Sequence, residues 1–235
     1  MTMKNIAIIV AGGRGTRVGN RIPKQFMEIK GKKIIEWTIS AFDSCRKIDG
    51  IVVVIVNEFR DKMEEILLKA DFTKKIIIVS GGETRQLSVY NGLKKAEDFN
   101  PEHVLIHDAA RPLVSRELIE RVIVSLENGA GGVVPAIPVR DTLVKAEDST
   151  IKEYIPREGL YLIQTPQGFN FTEIFASHLN ALSDGRKEFP DDSSIFRAYS
   201  SGKVVIVEGD PANIKITYPG DLRIAEILMN YLSDP

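Results

Sequence analysis

A glycine-rich turn followed by closely spaced cations lies near the start of the chain. The β-branched run Ile6–Val10 leads into Gly12, Gly13 and Gly15. The stretch from there to Met27 contains no acid and four basic residues: Arg14, Arg17, Arg21 and Lys24. Glycines let backbone N–H groups come close to a ligand, because no Cβ intervenes. The whole chain has a formal net charge of only −1, so this local cluster favours a small polyanion such as a nucleoside triphosphate over a tight turn with solvated charges.

The same turn differs from the two best-known nucleotide loops. Val18 stands where the third glycine of a dinucleotide-binding fingerprint belongs, and Arg17 crowds the turn. The G-x-x-x-x-G-K-[ST] pattern of a Walker A loop does not follow. The residues therefore indicate a different kind of nucleotide loop.

Apolar runs of strand length alternate with helical patterns along the first part of the chain. The predicted strands are Ile6–Val10, Ile51–Val56, Ile76–Val79, His103–His107 and Val133–Val139. The predicted helices are Ile34–Phe42, Arg60–Ala70, Ser88–Ala96 and Arg116–Glu127. This alternation is typical of an α/β fold with a mostly parallel, twisted, Rossmann-like sheet covered by helices on both faces. Ligands bind such sheets at the carboxyl ends of the strands, so we expect the Ala11–Arg17 and Asp108–Arg111 loops at one edge.

The pattern changes after Pro138. Thr142–Ala146 and Ile151–Ile155 predict two short strands joined by a polar turn at residues 147–150. An isolated hairpin is only marginally stable in water, so we expect it to lean on its own domain or on a second subunit. The remaining predicted elements are a strand at Tyr161–Gln164, a helix near Phe171–Leu182, a strand at Lys203–Val207 and a helix from Pro219 to about Tyr231. With no linker or repeat, residues 1–235 are expected to form one domain with a projecting arm at about 140–157.

A second glycine-containing turn, Gly81–Arg85, leads into Ser88 and an amphipathic helix. A turn at a helix N-terminus can present N–H groups and the positive end of the helix dipole to an anion or to the edge of a base. An ordinary strand-to-helix turn with a solvated Arg85 fits the same residues. Sequence alone does not separate the two interpretations.

Opposite charges follow the predicted strand His103–His107. Asp108 can hold Mg²⁺ or a sugar hydroxyl, and Arg111 can bind a phosphate with two parallel hydrogen bonds. The alternative is a salt bridge between these two residues that closes the loop. Further along, Lys215 lies among apolar residues, where it has either an anionic partner or a position on an edge strand with its ammonium group in solvent.

Other residue types exclude several functions. The neutral net charge argues against nucleic-acid binding. The single cysteine, Cys45, excludes an intrachain disulfide and is expected to be structural. The histidines are also interpreted as structural, because no two of them have metal-ligand spacing. Apolar runs of strand length and an N-terminus without a signal-peptide pattern predict a cytoplasmic protein that does not span a membrane.

Taken together, these segments resemble the 2-C-methyl-D-erythritol 4-phosphate cytidylyltransferases of the non-mevalonate isoprenoid pathway. The matching residues run in order along nearly the whole chain: Gly12–Arg17, Pro23–Gln25, Gly81–Arg85 with Ser88, His107–Pro112, Arg140–Thr142, Arg157, Thr165–Gln167, Asn213–Thr217 and Asp221–Leu222. Any one motif is weak, but the ordered series is specific. The fold that this resemblance implies is similar to the nucleotide-diphospho-sugar transferases.

The resemblance implies transfer of CMP from CTP to 2-C-methyl-D-erythritol 4-phosphate, with Mg²⁺ as cofactor and release of pyrophosphate. The residues it implies for catalysis are Arg17, Lys24, Arg157 and Lys215. Those implied for CTP binding are Ala11, Gly12, Gly13, Gly15, Gly82, Glu83, Ser88, Asp108 and Ala109. Those implied for the polyol phosphate are Asp108, Arg111, Arg157, Thr165 and Lys215. Asp108 is the candidate metal ligand, and the metal's full ligand set is not implied.

The resemblance also implies a homodimer in which the 140–157 arm clasps the other subunit and Arg157 reaches that subunit's site. The chain departs from the family pattern at two places. Ala11-Gly12-Gly13 is similar to the first loop of sugar nucleotidyltransferases, which keeps a sugar-1-phosphate nucleotidyltransferase open as an alternative. Pro190-Asp191-Asp192 stands where the family commonly has a Thr-Asp pair, so a polyol contact is not assigned to these residues. A ribitol-5-phosphate cytidylyltransferase and a non-catalytic nucleotide-binding protein are the further alternatives.

Overall fold

A computed structural model describes residues 3–12 and 23–233 of the chain. The predictions for Gly13, Gly15 and Arg17 therefore lie outside the described residues. The strands are β1 (Asn5–Ala11), β2 (Glu28–Ile29), β3 (Lys32–Lys33), β4 (Gly50–Ile55), β5 (Lys75–Ser80), β6 (His103–Asp108), β7 (Gly132–Pro138), β8 (Leu143–Glu147), β9 (Thr150–Ile155), β10 (Tyr161–Ile163), β11 (Gln167–Asn170) and β12 (Val204–Glu208). The helices are α1 (Ile34–Ser44), α2 (Arg60–Lys69), α3 (Arg85–Ala96), α4 (Arg116–Glu127), α5 (Phe171–Ser183), α6 (Asp192–Tyr199) and α7 (Pro219–Ser233).

Eight of these strands form one mixed sheet. Strands β5, β4, β1 and β6 pair in that order and are all parallel. Strand β11 then runs antiparallel between β6 and β7. Strand β7 also pairs with β10, antiparallel, and with β12, parallel. The predicted mostly parallel sheet is confirmed.

Alternating residues of the central strands supply a core on each face of the sheet, as the period-2 geometry of a strand requires. Along β1, Ala7 and Ile9 join the cluster that packs against α1, α2 and α4. Ile6 and Ile8 join the opposite cluster, with residues of α3, α5 and α6. Both faces are therefore covered by helices. Burial on both sides explains why the strand sequences are apolar at nearly every position.

A third apolar cluster lies beside the sheet and anchors the segment that carries Lys215. Its buried members are Ile29, Ile34, Leu113, Ile216, Ala225 and Met229. This cluster joins the small β2–β3 hairpin to α7. Ile216 is completely inaccessible to solvent in this cluster, and its burial fixes the backbone next to Lys215.

The predicted hairpin arm is confirmed as β8 and β9, which pair with each other in a separate two-stranded sheet. Asp148 and Ser149 form the tip, with φ values of 49° and 61°. Two consecutive left-handed residues are typical of the type I′ turn, whose twist matches that of the flanking strands. Every residue of β9 is exposed.

Several elements differ from the sequence predictions. Strand β11 and helix α6 were not predicted, because Gln167–Asn170 is short, polar and contains a glycine, and α6 is only eight residues long. The edge-strand interpretation of residues 213–217 was wrong, since this segment is irregular. Cys45 is buried just after α1, as expected of a structural residue. In the described part of the chain, no helix combines the length and hydropathy needed to cross a bilayer.

Candidate active site

The carboxyl ends of β1 and β6 place two of the predicted polar loops side by side. These strands are parallel neighbours, with Val10 opposite Asp108. Beyond the last pair, the Ala109 N–H donates to the Val10 carbonyl at 3.1 Å. The residues that follow β1 and those that follow β6 therefore lie together at the carboxyl edge of the sheet, as expected; this is the edge at which open α/β sheets bind ligands.

Asp108 is the charged centre of this edge. Its Oδ2 lies 2.7 Å from Nζ of Lys215, and its Oδ1 lies 3.3 Å from Nε of Arg85. Burial by itself would raise the pKa of Asp108, but the positive charges of Arg85 and Lys215 outweigh it and hold that pKa well below its usual range. Asp108 is therefore a carboxylate at neutral pH, held by two cations.

Lys215 is positioned by a network of long-range hydrogen bonds around an irregular segment. The Ile216 N–H donates to the Ala110 carbonyl at 2.8 Å. The Asn213 side chain donates to the Thr165 carbonyl, also at 2.8 Å. These contacts attach the segment to the loop after β6 and to the residue before Pro166. Of the two interpretations of Lys215, an anionic partner is confirmed.

Lys24 lies in a 3₁₀ turn, Lys24–Phe26, that is tied to both sides of the site. Its Nζ donates to the Ile216 carbonyl at 2.7 Å. The next residue, Gln25, donates from Nε2 to the Ala11 carbonyl at 2.7 Å. Lys24, which follows the glycine-rich loop in the sequence, is thus held beside Ile216, the neighbour of Lys215.

Thr165 and His107 hold the Asp108 loop in place through hydrogen bonds. The Thr165 hydroxyl accepts from the Asp108 N–H at 3.2 Å and lies 2.9 Å from Nδ1 of His107. Nε2 of His107 lies 3.1 Å from the Arg111 carbonyl, which can only accept. His107 is completely buried, and that burial lowers its pKa to about 4. The network thus assigns a neutral imidazole that donates from Nε2 and accepts the Thr165 proton at Nδ1.

Arg111 is a half-buried cation that projects from the same loop. Its NH1 donates to the Asn213 carbonyl at 2.7 Å, and burial lowers the pKa of its guanidinium. Among the residues that the structure describes, its buried Nε finds no hydrogen-bond partner. In the described part of the chain, no carboxylate lies within 4.0 Å of Arg111, so the possible Asp108–Arg111 salt bridge is not formed there. An incompletely compensated guanidinium at this edge can bind an anionic ligand.

The second glycine turn approaches the first through Ser88. The Ser88 hydroxyl donates to the Thr84 carbonyl at 2.9 Å and accepts from the Gly82 N–H at 3.1 Å. A Cβ on Gly12 would lie 2.9 Å from that hydroxyl oxygen, and one on Gly82 would lie 2.4 Å from the Cβ of Leu87. A side chain at position 82 would clash with Leu87 of α3, and one at position 12 would displace the Ser88 hydroxyl. Ser88 therefore holds the loop in shape, while Glu83 is exposed.

Two residues of this region, Arg85 and Asp192, were not among the predicted site residues. Arg85 is ion-paired although 33% of its side chain is exposed: besides Asp108 it contacts Asp192, whose Oδ2 lies 2.8 Å from its NH2. The other oxygen of Asp192 lies 3.4 Å from Nε2 of His178, and both of these side chains are fully buried. Arg85 stood in a matched motif, which was a usable signal. Nothing local marked Asp192 as a buried acid.

Arg157 lies apart from these residues in the exposed arm, where it donates from NH1 to the Arg140 carbonyl. Within residues 3–12 and 23–233, no hydrogen bond or ion pair joins Arg157 to the other predicted site residues. The same described ranges contain no group of three or more His, Cys, Asp or Glu side chains that could hold a metal ion. Both oxygens of the candidate ligand Asp108 already contact cations.

Known proteins similar to this chain agree on one family. The model of the family described as IspD: 2-C-methyl-D-erythritol 4-phosphate cytidylyltransferase matches residues 5–231. The chain is 39% identical over 228 residues to the 2-C-methyl-D-erythritol 4-phosphate cytidylyltransferase of Neorickettsia sennetsu, covering 96% of this chain and 97% of that protein. It is also 39% identical to a bifunctional enzyme IspD/IspF of Agrobacterium fabrum, of which it spans 56%.

Solved structures give the same result. The 4-diphosphocytidyl-2C-methyl-D-erythritol synthase of Anaerococcus prevotii superposes with a TM-score of 0.83 at 34% identity, covering 97% of this chain and 96% of that one. A family match over nearly the full length, together with close agreement of fold, leaves the sugar-1-phosphate and ribitol alternatives without support. The chain therefore belongs to the 2-C-methyl-D-erythritol 4-phosphate cytidylyltransferase family.

Proposed function

We propose that this chain transfers CMP from CTP to 2-C-methyl-D-erythritol 4-phosphate, giving 4-diphosphocytidyl-2-C-methyl-D-erythritol and pyrophosphate in isoprenoid precursor biosynthesis. The observation that carries this proposal is the gathering of three cations at the carboxyl edge of the sheet. Lys215 contacts Asp108, while Lys24 and Arg111 donate to the main-chain carbonyls of Ile216 and Asn213 in the segment that carries Lys215. Three cations on one segment suit a reaction between two phosphate groups.

The reaction joins two anions, so its main requirements are positioning and charge neutralisation. An oxygen of the polyol phosphate attacks the α-phosphorus of CTP, forming a new P–O bond as the bond to pyrophosphate breaks. A phosphomonoester dianion is already a competent nucleophile, so no side-chain base has to remove a proton. Groups aimed at the charge that develops on the α-phosphate accelerate such a step. We assign this role to Lys24 and Arg17.

The acceptor side of the proposal rests on the cations around Asp108. Lys215 and Arg111 are placed to bind the phosphate of the polyol, since a phosphate can replace the contacts that Lys215 makes with Asp108. Asp108 then becomes free to accept hydrogen bonds from hydroxyl groups of the polyol or ribose. Thr165 is assigned to the same subsite, where its hydroxyl holds the Asp108 loop.

The nucleotide side is assigned to the two glycine turns. Ala11, Gly12 and Ala109 lie where β1 and β6 end, and their backbone can approach the phosphates of CTP. Gly82, Glu83 and Ser88, at the start of α3, are proposed to bind cytosine and ribose. The close approach of Gly12 to Ser88 supports a continuous CTP site formed by both turns.

The proposal includes Mg²⁺, which partly neutralises the triphosphate when it is bound. Mg²⁺ commonly binds through one or two carboxylates together with substrate phosphates and water. The described residues do not provide it with a ready site, because the oxygens of Asp108 contact Arg85 and Lys215. We therefore propose that the ion enters with CTP. A cytoplasmic location and a single domain over residues 1–235 complete the proposal.

We further propose a two-fold dimer in which the arm delivers Arg157 to the site of the other subunit. Large apolar side chains are exposed along the arm and the adjacent β10: Ile151, Tyr154, Leu162 and Ile163 are 51%, 68%, 56% and 45% accessible. A patch of this kind favours a protein partner. A two-stranded hairpin also needs support from packing that its own strands do not supply.

Pyrophosphate release tests the proposed activity. Purified protein with Mg²⁺ is offered CTP, UTP or GTP together with 2-C-methyl-D-erythritol 4-phosphate or ribitol 5-phosphate. We expect rapid release only with CTP and the erythritol phosphate. A preference for UTP or GTP would favour a sugar nucleotidyltransferase, and a preference for ribitol 5-phosphate would favour the other acceptor.

A further inference from the structure

A row of alternating charges runs from the candidate site into the protein. Nζ of Lys215 lies 2.7 Å from Asp108, whose other oxygen lies 3.3 Å from Nε of Arg85. NH2 of the same guanidinium lies 2.8 Å from Asp192. Arg85 thus connects the carboxylate at the sheet edge to a carboxylate at the start of α6.

Asp192 is an unusual place for a charge, because its side chain is completely inaccessible to solvent. Burial alone would raise the pKa of Asp192, but the charge of Arg85 and the neighbouring His178 outweigh it, so that its pKa is lowered. The capping of α6 does not need Asp192, since Asp191 performs it by accepting from the Ser194 N–H at 2.9 Å. Among the described residues, the nearest cation to the buried charge of Asp192 is Arg85, at 2.8 Å, and Nε2 of His178 lies further away, at 3.4 Å.

Arg85 depends on this partner because of where it stands. It is the first residue of α3, where the positive end of the helix dipole disfavours a cation. A guanidinium has donors in a fixed planar arrangement, so it can contact two carboxylates from two sides at once. With Asp192 neutralised, Arg85 would have Asp108 as its only anionic partner among these contacts and would compete with Lys215 for it.

We propose that Asp192 is a positioning residue for the polyol-phosphate side of the site. It holds Arg85 so that the guanidinium contacts Oδ1 of Asp108 and leaves Oδ2 to Lys215. The position of the Lys215 ammonium, which is to meet the acceptor phosphate, is set in this way. Asp192 touches neither substrate in this arrangement. The inference rests on the proposed cytidylyltransferase function and adds a residue that determines how well the acceptor binds.

The test compares Asp192→Asn with the wild-type enzyme in steady-state kinetics with CTP and 2-C-methyl-D-erythritol 4-phosphate. The asparagine keeps the shape of the side chain and removes its charge. We expect the KM for the polyol phosphate to rise about tenfold, within the usual range of coupling between contacting charged residues. The KM for CTP should not change. A purely structural role would instead reduce the fraction of folded enzyme, which lowers the apparent kcat and leaves both KM values unchanged.

Asp184→Asn is the matched control. Asp184 is also a carboxylate in the α5–α6 region, but it accepts a hydrogen bond from the Tyr199 hydroxyl at 2.8 Å, at the far end of α6 from Asp192. We expect unchanged KM values in this variant. An equal rise in the polyol-phosphate KM in both variants would overturn the inference.

A double-mutant cycle tests whether the effect passes through Lys215. In Asp192→Asn/Lys215→Ala, the KM for the polyol phosphate should equal that of Lys215→Ala alone, whereas multiplied effects would overturn the proposal.

If Asp192→Asn does not fold, Arg85→Lys is the variant that tests the proposal. A single ammonium cannot contact both carboxylates in the same way, so the same rise in the KM for the polyol phosphate is expected. If the wild-type enzyme turns over normally and the variants keep the wild-type KM values, this inference alone is overturned. Absence of wild-type turnover overturns the proposed function and this inference with it.

Discussion

The ammonium group of Lys24 donates a hydrogen bond to the main-chain carbonyl of Ile216 at 2.7 Å, across 192 residues of sequence. Ile216 is buried, and its own N–H is held by the Ala110 carbonyl. Its neighbour Lys215 contacts Asp108. Lys24, assigned to the nucleotide, is therefore held at the residue next to Lys215, which is assigned to the acceptor. This proximity suits a reaction that must bring two phosphates together.

Replacement of Lys24 by alanine should collapse turnover with little loss of stability. A cation aimed at developing charge acts mainly in the transition state, and removing one such group commonly costs on the order of 10²–10³ in rate. We expect kcat to fall by about this factor in pyrophosphate-release assays, while the thermal unfolding midpoint changes little. Lys32→Ala, in the nearby strand β3, serves as the control and should keep normal activity. Near-normal kcat in Lys24→Ala would refute the assignment.

Replacement of Lys215 by alanine should act through the acceptor. The change removes a cation assigned to the polyol phosphate and leaves Asp108 paired with Arg85 alone in the described network. We expect a higher KM for 2-C-methyl-D-erythritol 4-phosphate together with a slower reaction. Lys203→Ala, an exposed lysine just before β12, is the control. If the only effect of Lys215→Ala were on the KM for CTP, this placement of Lys215 would be wrong.

The buried His107 should make the stability of the fold depend on pH between about 4 and 6.5. Burial lowers the pKa of His107 to about 4, whereas an unfolded histidine titrates near 6.5. The unfolded chain therefore binds more protons in this window. The contribution to stability is complete above about pH 6.5 and is lost as the pH falls toward 4, with a slope of at most about 1.4 kcal/mol per pH unit.

Urea unfolding at a series of pH values measures this slope. His107→Gln retains hydrogen-bonding groups but does not titrate, so the free energy of unfolding should depend less on pH in that window than in the wild type. The comparison concerns the slope alone, since the substitution also changes stability at every pH. Equal slopes in the two proteins would show that His107 is not the group that titrates.

The arm should be necessary for both assembly and activity. Deleting residues 140–157 should dissociate the proposed dimer, measured by analytical ultracentrifugation, and abolish turnover. A sharper experiment mixes the inactive variants Lys24→Ala and Arg157→Ala under conditions that allow subunits to exchange. One of the two sites in each heterodimer then contains both wild-type residues, so activity should recover to roughly a quarter of normal with statistical pairing and independent sites. Absence of recovery despite demonstrated exchange would place Arg157 in the site of its own subunit.

The sequence by itself determined the parallel part of the sheet, its cover of helices and the sheet edge at which the candidate site residues gather. Apolar residues at successive positions of β1 face two separate cores, and this pattern indicates a sheet covered on both sides before any coordinates are known. The parallel arrangement then places the ends of β1 and β6 at one edge. The polar turn that ends in Ser149 and Thr150 similarly predicts the β8–β9 hairpin. These features are local, because strand periodicity and turn chemistry depend on neighbouring residues.

Only the tertiary structure decided which charges meet. Asp108 could have paired with Arg111, three residues away, yet its partners are Arg85 and Lys215, at separations of 23 and 107 residues. Asp192 is similarly an ordinary acid in the sequence and becomes a buried partner of Arg85 because α6 packs beside α5 and near α3. The pairing of charges depends on distance and burial in the folded chain, and neither is specified by residue type or spacing when the partners lie on different elements.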